Sequence, residues 1–206
     1  MEKRPLSVNR RHALKAGLLA VCAVPEAVRG ELPPPLFIEG YAGKVSYAPG
    51  EELTLCVSSG GAAFSVEITR LGAVPVRVWG AENVAGQAYP VPENASSHGC
   101  AWPVAVRVKI PPEWKSGYYQ VVLRTRDGGG GFTHRSVRSA EAGCYFVLRG
   151  GGTAPRARIV LQLSTNTYNA YNNWGGFSLY AYNGRDGNQG HRVSFERPPA
   201  SQFGSW

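Results

Sequence analysis

Long apolar runs are missing from this sequence. No segment reaches the ~20 uninterrupted apolar residues that a membrane-spanning helix needs, so no stable membrane span is expected. Charged residues are scarce at 17%, and the four histidines (His12, His98, His134, His191) stand far apart. No Cys/His spacing has the form of a zinc site, which excludes a zinc-ribbon or zinc-finger module. Cysteine is sparse too: Cys22, Cys56, Cys100 and Cys144. Loss of the first 30 residues leaves an odd three, which fits either one disulfide with a free thiol or buried free cysteines. What the chain has in plenty is glycine (26) and proline (15), placed mostly between short β-branched runs. That pattern predicts many short strands joined by turns.

The formal net charge of +8 raises the question of nucleic acid, and its distribution answers it. Residues 1–30 hold six Lys/Arg against two Glu, half of the excess. The other 176 residues carry 16 basic and 12 acidic side chains, scattered along the chain. Arg107 and Lys109 alternate with Val104, Val106 and Val108, as on the solvated face of a strand rather than along a phosphate track. No nucleic-acid partner is expected.

Asn9-Arg10-Arg11-His12-Ala13-Leu14-Lys15 precedes the apolar stretch Ala16 to Val24 and then Pro25-Glu26-Ala27. A charged segment, a short apolar core and small residues form the layout of a cleavable export signal. The adjacent arginines, with Leu14 and Lys15, resemble a twin-arginine leader, departing from it at Asn9 and Ala13. Residues 1–30 are therefore read as a leader, and the product as periplasmic or secreted. Val21 is too bulky to make Cys22 a lipoprotein site.

From residue 36 to 149 the period is two. Leu53-Leu55-Val57, Phe64-Val66-Ile68, Val74-Val76-Val78, Val104-Val106-Val108-Ile110, Tyr119-Val121-Leu123 and Cys144-Phe146-Leu148 each alternate with polar or small neighbours. One apolar and one polar face mark antiparallel strands half buried in a sandwich. Ala48-Pro49-Gly50, Ser59-Gly60-Gly61, Pro111-Pro112 and four glycines after Asp127 supply the turns. The fold class expected is mainly β, an immunoglobulin-like antiparallel sandwich. Trp102 and Trp114 read as core or edge anchors. Ser96-Ser97-His98-Gly99-Cys100 reads as a turn, since no base or orienting carboxylate can be assigned to a nucleophile.

Glycines at 150–152 with Pro155 predict a hinge over 150–157. Residues 158–206 then begin on Arg158-Ile159-Val160-Leu161-Gln162-Leu163, a run suited to a strand covered on both faces, as in a parallel sheet. This is expected to be the first strand of an incomplete α/β domain. Past it, Ser164 to Tyr180 is a loop dense in Asn, Tyr and Trp, a lining suited to a small-molecule pocket at the carboxyl end of a strand.

Thr165-Asn166-Thr167-Tyr168-Asn169-Ala170-Tyr171-Asn172, Trp174-Gly175-Gly176 and Ser178-Leu179-Tyr180 resemble the N,N-dimethylformamidase large-subunit family. Gly40-Tyr41, Tyr47-Ala48-Pro49-Gly50-Glu51, His98-Gly99-Cys100 and Ser116-Gly117-Tyr118-Tyr119 resemble it as well. The likeness runs from about Phe37 to the last residue. It implies hydrolysis of a small amide at a mononuclear iron held by tyrosines and a glutamate. Among the tyrosines, Tyr171 is the best match to a ligand and Tyr168 the second. Asn166, Asn169, Asn172 and Trp174 are the substrate-binding candidates. Phenolate and carboxylate oxygens are hard donors suited to ferric iron, which activates water and polarises an amide carbonyl. An equally weighted reading is that Tyr168, Tyr171 and Trp174 only pack a strand-to-helix connection.

Family members continue beyond the point where this chain ends, and a parallel sheet needs further strands and crossover helices. The expectation is thus a truncated amide hydrolase large subunit, inactive and iron-free alone, with a second chain as the partner that completes it. Asp186 and Glu196 are the remaining carboxylates, and no motif supports them as substitute ligands. The alternative is a secreted carbohydrate- or ligand-binding sandwich, with Tyr168, Tyr171, Trp174, Tyr180 and Tyr182 as an aromatic platform.

Overall fold

A computed structural model describes residues 35–127, 137–150 and 160–200. The leader, the glycine turn after Asp127, most of the hinge, residues 158–159 and the last six residues lie outside the described residues.

Eight strands form two sheets. β1 (Ile38–Ala42), β3 (Glu52–Ser59) and β6 (Val104–Lys109) make a three-stranded sheet in the order β1-β3-β6. β2 (Ser46–Tyr47), β8 (Arg138–Leu148), β7 (Gly117–Asp127), β4 (Ala63–Leu71) and β5 (Val76–Ala85) make a five-stranded sheet in that order. All pairings are antiparallel except β2 with β8, where Ser46 sits opposite Val147 and Tyr47 opposite Leu148. The chain thus changes sheets between β1 and β2. A short helix α1 (Ala95–His98) lies in the link from β5 to β6.

Alternation along the strands builds the core. Leu53, Leu55, Ile68, Tyr119, Val121, Leu123 and Phe146 have no exposed surface and meet between the two sheets in one cluster. Burial of each such side chain contributes roughly 1.5–3 kcal/mol. The mainly β sandwich is as the period of two implied. It departs at β5, whose start falls at Val76, so that Val74 lies outside it and is exposed. β5 is an edge strand, with a hydrogen-bonded neighbour on one side only.

The C-terminal part differs more. Residues 160–163 were expected within a strand buried on both faces. They pair with nothing in a sheet, and Val160 and Leu161 are 84% and 80% exposed. An apolar run becomes a parallel strand only when neighbouring strands take its N–H and C=O groups, and among the described residues none does. The expected loop holds a helix instead, α2 (Thr165–Tyr171). Thr165-Asn166-Thr167 has poor helix propensity, so the helix is held by tertiary contacts at its C-terminal end. Residues 160–200 belong to the same compact unit as the sandwich.

Candidate functional site

The C-terminal segment is organised around Arg197, which is 2% exposed. A guanidinium has five N–H donors. Here Nε donates to Ser194 O (3.0 Å), Nη1 to Trp174 O (2.6 Å) and Phe177 O (3.1 Å), and Nη2 to Asn172 O (2.7 Å) and Asn169 O (3.4 Å). The last carbonyls of a helix have no partner within it. Arg197 supplies one to Asn169 near the end of α2 and another to Asn172 just beyond it. Burial lowers the Arg197 pKa to about 10, with Cys100 opposing the shift.

The segment docks on the three-stranded sheet and α1. Trp174 Nε1 donates to Glu39 Oε1 on β1 at 2.8 Å, and its ring meets Trp102 edge to face at 5.8 Å. Cys100 N donates to Glu196 O (2.8 Å), and Ser194 N to Ser96 O (2.9 Å). Two glycines permit this backbone approach. A Cβ on Gly99 (φ +86°) would fall 2.9 Å from Glu196 O, and one on Gly175 (φ +82°) would fall 3.0 Å from Ser96 N. His98-Gly99-Cys100 therefore packs on residues 194–196, and Trp174-Gly175-Gly176 packs on Ser96.

The two tyrosines singled out as ligand candidates go to different surroundings. Tyr171 stacks on Tyr180 with ring centroids 4.1 Å apart, and Tyr182 lies 6.4 Å from Tyr171 and 6.0 Å from Tyr180. The Tyr171 phenol, hydrogen-bonded to Tyr180, raises the Tyr180 pKa, with a smaller contribution from Tyr182. Tyr180 is 38% and Tyr182 74% exposed, so the cluster opens to solvent. Tyr168 instead lines a cleft between α2 and the strand corner, beside Tyr41, Lys44, Cys144 and Tyr145. Burial raises the pKa of Tyr145 to about 12 and carries that of Tyr118 higher still; the Tyr168 phenol adds to both shifts.

The amides also divide. Asn166 is exposed on the first turn of α2. Asn172 is buried and fully engaged: Nδ2 donates to Pro198 O, and Oδ1 accepts from Trp174 N and Ala200 N. Asn169 is buried and is one of the residues lining the cleft. Ser178 and Asn183 hydrogen-bond side chain to side chain beneath the tyrosines, and Asn183 Nδ2 donates to Tyr171 O (3.0 Å).

Of the two remaining carboxylates, Glu196 lies against Gly99 and Cys100 and acts electrostatically on Cys56. Asp186 sits at a left-handed φ of 55° in the turn Arg185–Gly187. No group of three His, Cys, Asp or Glu able to hold a metal is found among the described residues. Tyr171, Tyr180 and Tyr182 nevertheless bring phenolic oxygens, hard donors that suit ferric iron, onto one small surface. Ser97 Oγ lies 2.8 Å from His98 Nδ1 but also donates to Asn94 O, and among the described residues no carboxylate hydrogen-bonds His98. That pair lacks the third group that orients a catalytic base.

Sequence reading did not single out Glu39 or Arg197, and it named Tyr180 and Tyr182 only as members of an aromatic platform with Tyr171, not as ligand candidates. Tyr180 and Tyr182 carry a signal, being two tyrosines at i, i+2 behind Tyr171. Arg197 carries none, since an arginine beside two prolines looks like any loop residue.

The family model described as N,N-dimethylformamidase beta subunit-like, C-terminal, matches residues 65–206. No curated protein matches the chain. Among solved structures, that of Spo0M, sporulation control protein, from Bacillus subtilis is similar at 14% identity and a TM-score of 0.36. The match covers 57% of this chain and 50% of that protein, and carries no functional argument.

Proposed function

The chain belongs to the N,N-dimethylformamidase beta subunit-like family, and from that membership we propose that it is a component of an amide hydrolase acting on small amides. The observation that carries this reading is the cluster of Tyr171, Tyr180 and Tyr182 within the family-matched residues. Tyr171 would be the first donor to iron, with Tyr180 and Tyr182 beside it, and Tyr168, facing the cleft, would be the second choice. Iron, when bound, would polarise an amide carbonyl and acidify a water. The protein's own contribution is positional. Arg197 and Asn183 fix the backbone around Tyr171, and Asn172 and Trp174 fix the frame, leaving Asn166 and Asn169 as the amides free for substrate.

The family name describes a beta subunit, which supports a multi-subunit enzyme. The exposed Val160 and Leu161 support a strand completed by another polypeptide. The chain is then inactive alone and exported by the twin-arginine route.

The test is iron content and formamide-type hydrolysis by the purified chain, with and without a polypeptide supplying the rest of an α/β domain. The expected result is neither property alone and both on complementation, with a tyrosinate-to-iron absorption band lost in Tyr171→Phe. Stoichiometric iron and turnover by the chain alone would overturn the incomplete-site reading. No iron and no turnover after complementation would overturn the hydrolase.

One observation favours a second reading. Tyr180 and Tyr182 present exposed rings on which a sugar could stack. Trp174 contributes nothing to that platform, since its indole is spent on Glu39 and Trp102. Glycan retention by the full chain, abolished by Tyr182→Ala, would support it.

A further inference from the structure

Beneath the stacked rings of Tyr171 and Tyr180, two side chains join the main chains of those residues. Asn183 Nδ2 donates to Tyr171 O at 3.0 Å, Asn183 Oδ1 accepts from Ser178 Oγ, and Ser178 Oγ accepts from Tyr180 N at 3.0 Å. The result is an unbroken relay from the carbonyl of one tyrosine to the amide of the other. Asn173 Nδ2 steadies it, donating to Asn183 O at 2.9 Å. Ser178 has no exposed surface, so solvent does not compete for its hydroxyl.

The residue types suit the task. The Asn183 side chain has to donate at one end and accept at the other, which an amide does and a carboxylate cannot. The Ser178 hydroxyl has one proton and two acceptor sites. With the proton directed at Asn183 Oδ1, its oxygen is open to Tyr180 N; Tyr180 O lies 3.1 Å away as a second acceptor.

The relay fixes an angle. Otherwise the two segments meet through one main-chain bond, Leu179 N to Ala170 O at 2.9 Å, a residue before each tyrosine. A single bond is a pivot, about which Tyr180 can swing past Tyr171. The relay attaches the same segments one residue further along, and two attachments set their relative rotation. The rings then stack with centroids 4.1 Å apart and planes 20° from parallel. Tyr180 is 38% exposed, so burial alone does not confine its ring.

We propose that Ser178 and Asn183 are positioning residues for Tyr171, holding its phenol in register with that of Tyr180. The purpose of that register rests on the hydrolase reading, in which Tyr171 is the first donor. The positioning itself needs no iron. Groups that orient a metal's ligands without touching the metal change its affinity by about 10–100-fold when altered.

The test uses the iron-free full chain with isotope-labelled tyrosine and leucine. Ring resonances are assigned by their loss in Tyr171→Phe and Tyr180→Phe. Wild type should show a nuclear Overhauser effect between the two rings. Ser178→Ala and Asn183→Asp should each lose it while the Leu179 amide, bonded to Ala170, keeps its slow hydrogen exchange. Gln189→Ala, which removes a side-chain bond to Leu179 O from the same loop, should keep the ring contact. In the complemented protein, Asn183→Asp should bind ferric iron at least about tenfold more weakly, read from the tyrosinate-to-iron band. Ring contact retained in both variants would overturn the proposal. Fast Leu179 exchange in both would do the same, reducing the pair to a fastening for the loop. Wild-type iron affinity in Asn183→Asp would also sink it. A band missing from complemented wild type would count against the hydrolase reading instead, and the ring contact alone would then decide the positioning.

Discussion

Trp174 Nε1 reaches the Glu39 carboxylate at 2.8 Å across 135 residues of chain, tying the C-terminal segment to the first strand of the sandwich. A hydrogen bond to a charged group contributes about 1.5–3 kcal/mol. Trp174→Phe and Glu39→Gln should each lower stability, and the double variant should lose less than the two losses combined. Denaturant melts of the four proteins give the coupling. Strict additivity would show that the bond contributes nothing beyond its geometry.

Arg197→Lys should fail to rescue the segment. Lysine offers three donors from a point charge, where five carbonyls at set positions now accept from a planar fork. The variant leaves at least two buried carbonyls without partners, a loss of roughly 2 kcal/mol or more. Limited proteolysis should cut within residues 160–200 of the variant while residues 35–127 survive. A protease pattern unchanged from wild type would remove Arg197 from its central role.

Cys56, Cys100 and Cys144 are free and buried. Burial raises all three thiols, Cys100 and Cys144 to about 12, so little thiolate forms at neutral pH. Thiol reagents should label none of the three in the native protein and all three in denaturant, as followed by peptide mass. Rapid native labelling of any one would contradict the packing described.

Glu51 lies 3.5 Å from Lys44 and 3.6 Å from Arg149. Its pKa is lowered first by a hydrogen bond from the Ala48 backbone and then by those cations. A carboxylate with a depressed folded pKa stabilises the protein above its unfolded pKa, and the effect is lost as pH falls through the folded value. The Tm gap between wild type and Glu51→Gln should therefore be widest near neutrality and close as pH falls through the lowered folded value. A gap constant with pH would assign the effect to shape alone.

The sandwich was legible in the sequence because burial on one face writes a period of two into Leu53-Leu55-Val57 and Tyr119-Val121-Leu123. Val74 escaped that logic. A β-branched residue beside an edge strand keeps the pattern without the burial. The run at 158–163 was legible only as an apolar segment, because strand formation depends on neighbours that local sequence does not encode. The candidate site was half visible. Tyr171 stood out by family resemblance, while Arg197 acts through carbonyls, which every residue has and no sequence distinguishes.

The parallel pairing of β2 with β8 sets an order on the birth of the protein. Arg149 N closes onto Tyr47 O at 2.9 Å, and the two residues stand 102 positions apart. At synthesis rates of about 5–20 residues per second, β2 waits roughly 5–20 seconds for the strand it pairs with. During that interval the aromatic body of Tyr47 has no core to enter. A nascent chain held on the ribosome short of residue 148 would offer that strand to a chaperone, and one held beyond it would not.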